Sequence, residues 1–382
     1  MKTFSKCVAA AALVAALVTA AGCSGSSSSP KVATTANWNV RTSVSVEKND
    51  YGFWQSNREV STYAITFTEG TNSSYKVVYN DLGDAFYTTA FYMTTFDWAS
   101  DRTIEAYRAE ESETEPVYVY ETSLKISGYY QIKPEGAKLE FSDELITECY
   151  FRPAGNNLQP VYSYQRVKNT SPAALSTGNI NAAVVHTDEE FYTYYNKACT
   201  QATVKKTAYN SETDRTDVTE SEKKIGLSGN SGYSNFDNSQ IRAAIRAFTL
   251  TGGATRTFNV LSPQNGSVSS VSAKVANPVE LDPTADALII NALTNAPRSY
   301  VFFDGSPANS DDVRKNVRYS AVSLGLNAPM QGSSPTLCYS TVENADVNST
   351  RCLLLKMSTP LSFGVGTLNY TLKTLTLENI DE

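Results

Sequence analysis

The sequence predicts a mostly β protein: curved antiparallel sheet, half-barrel-like in form, with about three short helices. Three observations carry that prediction. Runs of alternating apolar and polar residues recur from Val40 to Leu377, bounded by Gly, Pro, Asn or Asp. Tyr is plentiful at 23 residues and Ser and Thr fill the positions between, a composition that suits sheet with a wet face. The runs also follow one another too closely for crossover helices, so neighbouring strands should pair antiparallel rather than through βαβ units.

Residues 1–22 read as a signal peptide rather than as part of the fold. Lys2 and Lys6 form a short positive region, and Val8 to Ala20 is an apolar stretch of about 13 residues, shorter than the roughly 20 that a membrane-spanning helix needs. Val18-Thr19-Ala20-Ala21-Gly22-Cys23 follows, with small residues directly before a cysteine. This box resembles the lipobox of bacterial lipoproteins, although that family usually carries a branched residue where Ala20 stands. The resemblance implies acylation of Cys23 as the new N-terminus and attachment to a membrane through that lipid. Two acyl chains suffice for stable anchoring where one would be marginal. Residues 23–36 are a Ser-rich tether, since Ser and Gly bury no apolar surface. Residues 37–382 are then an extracytoplasmic body on the cell membrane or outer membrane.

Within the body, Val40 to Val46, Ser61 to Thr68, Tyr75 to Tyr79 and Ala85 to Trp98 read as strands. In the last, Phe86, Tyr92, Phe96 and Trp98 share one parity and Phe91 and Met93 the other, so both faces are apolar and the strand is central. An acidic turn at Glu110 to Glu115 precedes Val117 to Glu121, Ser123 to Ile132, Leu145 to Phe151 and Val161 to Val167. Asn169 to Asn181, rich in Ser, Pro, Ala and Asn, is a linker that would separate lobes at 37–175 and 182–382. A capping box of Thr187 and Glu190 then predicts a helix with Phe191, Tyr194, Tyr195 and Ala198 inward.

Thr200 to Tyr209 and Asp217 to Leu227 form a charged hairpin. Asp237 or Asn238 caps a second helix through Ile241, Ala244, Ile245 and Phe248, stopped by Gly252-Gly253. Thr255 to Leu261 and Val268 to Val275 turn at Gln264-Asn265-Gly266-Ser267. Asp282-Pro283 opens a third helix through Leu288, Ile289 and Leu293, closed before Pro297. Tyr300 to Phe303, Val317 to Leu326, Thr336 to Ser340, Arg351 to Met357 and Gly366 to Leu377 complete the sheet. In that closing strand Leu368, Tyr370 and Leu372 share a face, whereas Leu375 and Leu377 have the opposite parity, which predicts a bulge near Thr374 or burial of both faces.

Arg246-Ala247-Phe248-Thr249-Leu250, Thr257-Phe258-Asn259-Val260-Leu261 and Pro360-Leu361 with Gly366 to Leu372 carry a second likeness. From 241 to 377 the chain resembles uncharacterised exported bacterial proteins that close with a helix, a hairpin and a terminal strand. Their curved sheet is similar to the half-barrel of lipoprotein carriers. The resemblance implies a concave, ligand-holding face and names no activity.

Composition narrows the function. The formal net charge of −7 becomes −9 once Lys2 and Lys6 leave with the signal peptide, which argues against nucleic acid as partner and against docking by charge on anionic lipid. Of six cysteines, Cys7 leaves with the leader and Cys23 is acylated. Cys338 and Cys352 flank a polar insert and Cys149 and Cys199 remain, two expected disulfides in an exported chain, the first worth roughly 3 kcal/mol.

Catalytic signatures are missing. A single histidine, His186, cannot build a multi-histidine zinc site, and neither HExxH nor CxxC occurs, so no metal or cofactor is expected. Ser73-Ser74-Tyr75-Lys76 spells SxxK, but it feeds a strand rather than opening a helix. Asp311-Asp312 and Asp81 with Asp84 lack the ligand order of a calcium loop. The positive feature is aromatic: Tyr118, Tyr120, Tyr129, Tyr130, Tyr162 and Tyr164, with Trp38, Trp54 and Trp98, offer flat faces for a sugar ring or hydrophobic groove, or fill ordinary sheet packing.

The sequence therefore points to a non-enzymatic, lipid-anchored envelope protein that binds an apolar ligand, a glycan or a protein partner. Two alternatives stand beside it. One is a surface glycoside hydrolase using two unassigned carboxylates, and the other is a structural surface lipoprotein. Oligomeric state is not specified by the sequence.

Overall fold

The computed structural model of the chain describes residues 56–72, 75–83, 86–97, 114–133, 135–136, 138–154, 157–172, 184–209, 218–227, 235–246, 252–297, 309–326, 335–342, 352–361 and 364–380. Among these, seventeen strands join in one large curved, mostly antiparallel sheet with three helices. The first half contributes β1 (Asn57–Glu69), β2 (Tyr75–Asn80), β3 (Phe86–Asp97), β4 (Thr114–Ile132), β5 (Lys138–Ala154), β6 (Asn157–Pro172), β7 (Val184–Tyr195), β8 (Gln201–Tyr209) and β9 (Val218–Gly226). The second contributes β10 (Asn235–Asp237), α1 (Ile241–Arg246), β11 (Thr255–Ser262), β12 (Ser267–Val275), β13 (Val279–Glu280), α2 (Ala287–Asn295), α3 (Ser310–Asn316), β14 (Val317–Leu326), β15 (Thr336–Val342), β16 (Leu354–Pro360) and β17 (Gly366–Asn379).

Two meanders share a seam. From β9 the sheet steps antiparallel through β8, β7, β6, β5 and β4 to β3. β3 pairs with β1, β1 pairs with β17, and the sheet continues through β16, β15, β14 and β12 to β11. Strand β10 adds parallel to β11. The 19 residues of β4 reach about 60 Å, enough to pair with β3 along one half and β2 along the other. Between them Asp81 takes the left-handed conformation, φ 51°, which turns the chain out of line.

Alternation sets the faces. Tyr63 and Ile65 of β1, Phe91 and Met93 of β3, and Tyr118 and Tyr120 of β4 point to the inner side and join one large buried cluster. The far ends of the sheet meet through side chains: the Tyr195 hydroxyl of β7 donates to Asp237 Oδ2 of β10 at 2.7 Å, and Lys223 Nζ of β9 donates to the Gly266 carbonyl at 2.7 Å. A second buried cluster, with Phe191, Val204 and Ile225 against Leu261, fills that junction.

The bulge expected near Thr374 is present. Thr62 faces Thr374 but Tyr63 faces Leu372, so Lys373 is the extra residue, and the phase change lets Leu372 and Leu375 both be buried. The helix expected after Asp282-Pro283 forms over Ala287–Asn295, although its buried stripe is Ile289, Ile290, Ala292 and Leu293 while Leu288 is exposed. Helix α1 forms as a single short stretch buried on all sides, its two arginines included. Phe248 lies outside the described residues. Helix α3 contains Asp311 and Asp312.

Two expectations are corrected. The capping box at Thr187 and Glu190 does not start a helix: Val184–Tyr195 is strand β7, paired on both edges. Phe191, Tyr194 and Tyr195 fit a helical stripe, but Phe191, Thr193 and Tyr195 equally alternate. Aromatic residues with strands available on both sides settle into sheet. Ala198 falls instead in the β7–β8 turn, where Asn196 Oδ1 accepts the Thr200 N–H at 2.8 Å.

The expected linker Asn169 to Asn181 begins inside β6, whose ladder with β7 ends where Pro172 faces Val184; residues 173–183 lie outside the described residues.

The two expected disulfides are absent: Cys149, Cys199, Cys338 and Cys352 are free thiols. Cys338 stands within β15 opposite Lys356, whereas Cys352 lies ahead of β16, buried, with its carbonyl accepting from Arg246. Cys149 sits mid-strand opposite Ser163, and Cys199 in the β7–β8 turn at φ 51°. The leader, Cys23, the tether, Val40 to Val46, Trp38, Trp54, Trp98 and Tyr300 to Phe303 lie outside the described residues.

Candidate functional site

The inner side is filled by its own side chains. Tyr63, Tyr87, Phe91, Tyr118, Phe151 and Tyr339 are among the largest fully buried residues. At their centre is an ion pair: Arg246 of α1 grips Glu59 of β1 through both carboxylate oxygens, at 2.9 and 2.7 Å, and donates Nε to the Cys352 carbonyl at 2.8 Å. Phe91 lies beneath the guanidinium, 4.9 Å from its ring centroid. A charged pair at the middle of a packed interior is a poor lining for an apolar ligand.

The outer side of β3 to β9 is different. Cross-strand register places residues there in rows running perpendicular to the strands. One row is aromatic: Phe96 to Tyr150, Tyr150 to Tyr162 and Tyr162 to Tyr194 have ring centroids 5.6, 5.5 and 5.4 Å apart. Lys205 of β8 extends it, with Nζ 5.7 Å from the Tyr194 ring. The next row sets Glu121, Glu148, Tyr164, Tyr192 and Lys205 side by side, Tyr164 and Tyr192 stacking at 5.1 Å. Tyr150, Tyr162, Tyr164 and Tyr192 remain partly exposed, so each offers ring surface to solvent. A groove of about 590 Å³ opens beside them, lined by Tyr192, Tyr194, Lys205, Thr207, Glu220 and Glu222.

Charged residues frame the rings. Arg166 of β6 lies 3.6 Å from Asp188, 3.6 Å from Glu190 and 3.8 Å from Glu144. Glu190 also accepts from the Tyr209 hydroxyl at 2.7 Å and the Tyr192 hydroxyl at 3.3 Å. Burial, with the Glu190 charge behind it, pushes the Tyr164 phenol up to about 12. Tyr192 rises for the same two reasons, so both hydroxyls keep their protons and donate at neutral pH.

A smaller groove of about 250 Å³ lies over β1, β3, β4 and β5. It holds Glu121 and Glu148, which face each other directly across the β4–β5 ladder. Arg58 pairs with Glu121, which also accepts the Tyr92 hydroxyl at 2.7 Å. Glu148 accepts the Tyr150 hydroxyl, and burial is the main cause that raises its pKa, with the Glu121 charge adding to it.

The tyrosines singled out by the sequence divide between the faces. Tyr118, Tyr120 and Tyr130 are buried inside, while Tyr129, Tyr162 and Tyr164 are partly exposed outside. The sequence missed Tyr150, Tyr192, Tyr194 and Lys205 as members of the row; alternation in residues 190–195 was the available signal, masked by the helical spacing of the same residues. His186 has its Nδ1 3.2 Å from Thr170 Oγ1, within the β6–β7 ladder. Among the described residues no three His, Cys, Asp or Glu side chains gather as a metal site.

No family model matches the chain, and no curated protein matches it. Among solved structures it is similar to a crystal structure titled a β-barrel-like protein of domain of unknown function DUF1849 from Brucella abortus. Identity is 7%, the TM-score is 0.43, and the alignment covers 85% of this chain and 99% of that one.

Proposed function

We propose that the protein is a lipid-anchored cell-envelope protein that acts by binding, without catalysing a reaction, and that its ligand is a glycan laid across the outer tyrosine rows. The observation that carries this is the set of partly exposed rings, Tyr150, Tyr162, Tyr164 and Tyr192, beside an open groove. The apolar face of such a ring packs against the C–H face of a sugar, and neighbouring carboxylates and cations bond its hydroxyls. The filled inner face favours this surface over an internal apolar ligand. The box ending at Cys23 and the Ser-rich tether support anchoring outside the cell.

Affinity electrophoresis of the full chain through gels containing envelope polysaccharides tests the binding. Retardation by at least one polymer is expected, reduced in Tyr162→Ala and Tyr192→Ala. No retardation by any polymer would leave a purely structural surface protein. Intact mass of membrane-extracted protein tests the anchor: a diacylated Cys23 terminus is expected, and an unmodified one overturns it.

One observation favours a second possibility, a surface glycoside hydrolase. Glu121 and Glu148 are directly opposed, a registry that sets β-carbons about 5 Å apart, and one is held by Arg58 while the other is pushed towards its protonated form. Release of reducing sugar that disappears in both Glu121→Gln and Glu148→Gln would establish it in place of simple binding.

A further inference from the structure

Two carboxylates face each other on the outer side of the sheet. Glu121 of β4 and Glu148 of β5 are directly opposed in the ladder, a registry in which like charges repel and weaken the pairing. Arg58 pairs with Glu121 and is itself shared with Glu378, whereas no cation among the described residues pairs with Glu148. The groove of about 250 Å³ over the two carboxylates is therefore short of positive charge. Burial first, and beyond it the Glu121 charge, raise the Glu148 pKa against the hydrogen bond from Tyr150, as expected of a carboxylate without a positive neighbour.

The remaining lone pairs suit an ammonium group. Glu121 Oε1 accepts the Tyr92 hydroxyl at 2.7 Å, Glu121 Oε2 takes Arg58, and Glu148 Oε1 accepts the Tyr150 hydroxyl. Glu148 Oε2 has no partner among the described residues. A calcium ion takes roughly six to eight oxygen ligands, which two largely engaged carboxylates do not supply. An ammonium group has three donors, and each can use the second lone pair of an oxygen already bonded once. The hydroxyl-bearing Thr88 and Ser123 also line the groove.

The rings beside the carboxylates say what carries the ammonium. Tyr164 stands directly opposite Glu148 on β6, and Tyr192 follows on β7 in the same row. Both rings are partly exposed, with centroids 5.1 Å apart. Neighbouring strands are about 4.8 Å apart, so a sugar lying on the Tyr164 ring brings a substituent of its own ring within hydrogen-bond reach of Glu148. A basic peptide would use the carboxylates and leave the rings bare.

We propose that the glycan is an amino sugar polymer with unacetylated nitrogens, and that Glu148 and Glu121 take one ammonium group while the ring carrying it lies on Tyr164. The inference rests on the glycan-binding reading and adds the charge of the ligand to it. Bound there, the ammonium supplies Glu148 with what Arg58 supplies to Glu121, and it relieves the repulsion between the two opposed carboxylates.

The test titrates the full chain with a glucosamine hexamer and with its N-acetylated counterpart, by calorimetry at one ionic strength and at a pH that keeps the free amines charged. Binding at least about tenfold tighter to the amine form is expected. The preference should fall to about twofold or less in Glu148→Gln, which keeps an acceptor for the Tyr150 hydroxyl, and Tyr164→Ala should weaken both oligomers. Equal affinity for the two oligomers, or tighter binding of the N-acetylated one, overturns the inference and leaves the glycan reading standing. A preference that persists in Glu148→Gln overturns it as well, since the amine is then read elsewhere. An oligolysine bound as tightly as the glucosamine hexamer, with the same dependence on Glu148, overturns it in favour of a basic protein partner. If neither oligomer binds while another polysaccharide retards the chain, the inference falls alone; if nothing binds, it falls with the reading beneath it. Should Glu148→Gln fail to fold, the comparison of the two oligomers on the unaltered chain decides.

Discussion

Removing one partner of the Glu59–Arg246 pair should unfold the protein several degrees early, while removing both should not. Both side chains are 5% exposed, both carboxylate oxygens are taken, and the pair joins β1 to α1 across the interior. Glu59→Met leaves the guanidinium buried opposite a methyl group, and Arg246→Met leaves a buried carboxylate. Breaking a buried pair from one side costs about 3–5 kcal/mol. For a cooperative unit of about 330 residues the unfolding entropy is about 0.7 kcal/mol per degree, so each single variant should melt roughly 4–7 °C below the unaltered protein. The double variant replaces two charges by packed apolar groups and should melt within about 2 °C of it, for a coupling of about 3 kcal/mol or more. Differential scanning calorimetry on all four proteins is the assay. Single variants costing under about 1 kcal/mol, or costs that simply add in the double variant, would refute a buried and mutually dependent pair.

Other outcomes follow from the same interior. Asp143, pushed up to about 7 by burial against a single hydrogen bond from the Thr170 N–H, holds its proton more tightly folded than unfolded. Its contribution, on the order of 4 kcal/mol, is therefore full below about pH 4 and lost as pH rises through 7; Asp143→Asn should raise the midpoint at pH 8 and leave it nearly unchanged at pH 4. Buried Cys149, Cys199 and Cys352 should resist iodoacetamide in the native protein. After unfolding without reductant, peptide mapping should find those three and Cys338 alkylated, and a disulfide-linked peptide pair would contradict the free thiols. Tyr195→Phe removes the 2.7 Å bond to buried Asp237, where β7 meets β10, and should cost about 1.5–3 kcal/mol in urea unfolding.

Strand alternation made most of the sheet legible, because period two is what a half-buried strand displays. The phase change between Leu372 and Leu375 even located the bulge. Residues 187–198 misled because Phe191, Tyr194 and Tyr195 satisfy both periods, and only the tertiary partners β6 and β8 choose between them. The outer face was half legible. Tyr162 and Tyr164 were singled out, but their row mates come from β5 and β7, and the cross-strand register that aligns them is not written in any one strand. The ion pair was illegible, since Glu59 and Arg246 are 187 positions apart and each alone reads as a solvated surface charge. The cysteines misled because even counts and spacing say nothing of where each thiol stands in the fold.

Hydroxyl-radical footprinting of the full chain, with and without the polysaccharide that retards it, tests the outer face most directly. Tyr150, Tyr162, Tyr164 and Tyr192 should lose reactivity on binding, while the buried Tyr63, Tyr118 and Tyr339 stay unreactive in both states. Protection confined to other surfaces, with these four rings unchanged, would contradict a glycan seated on the tyrosine rows.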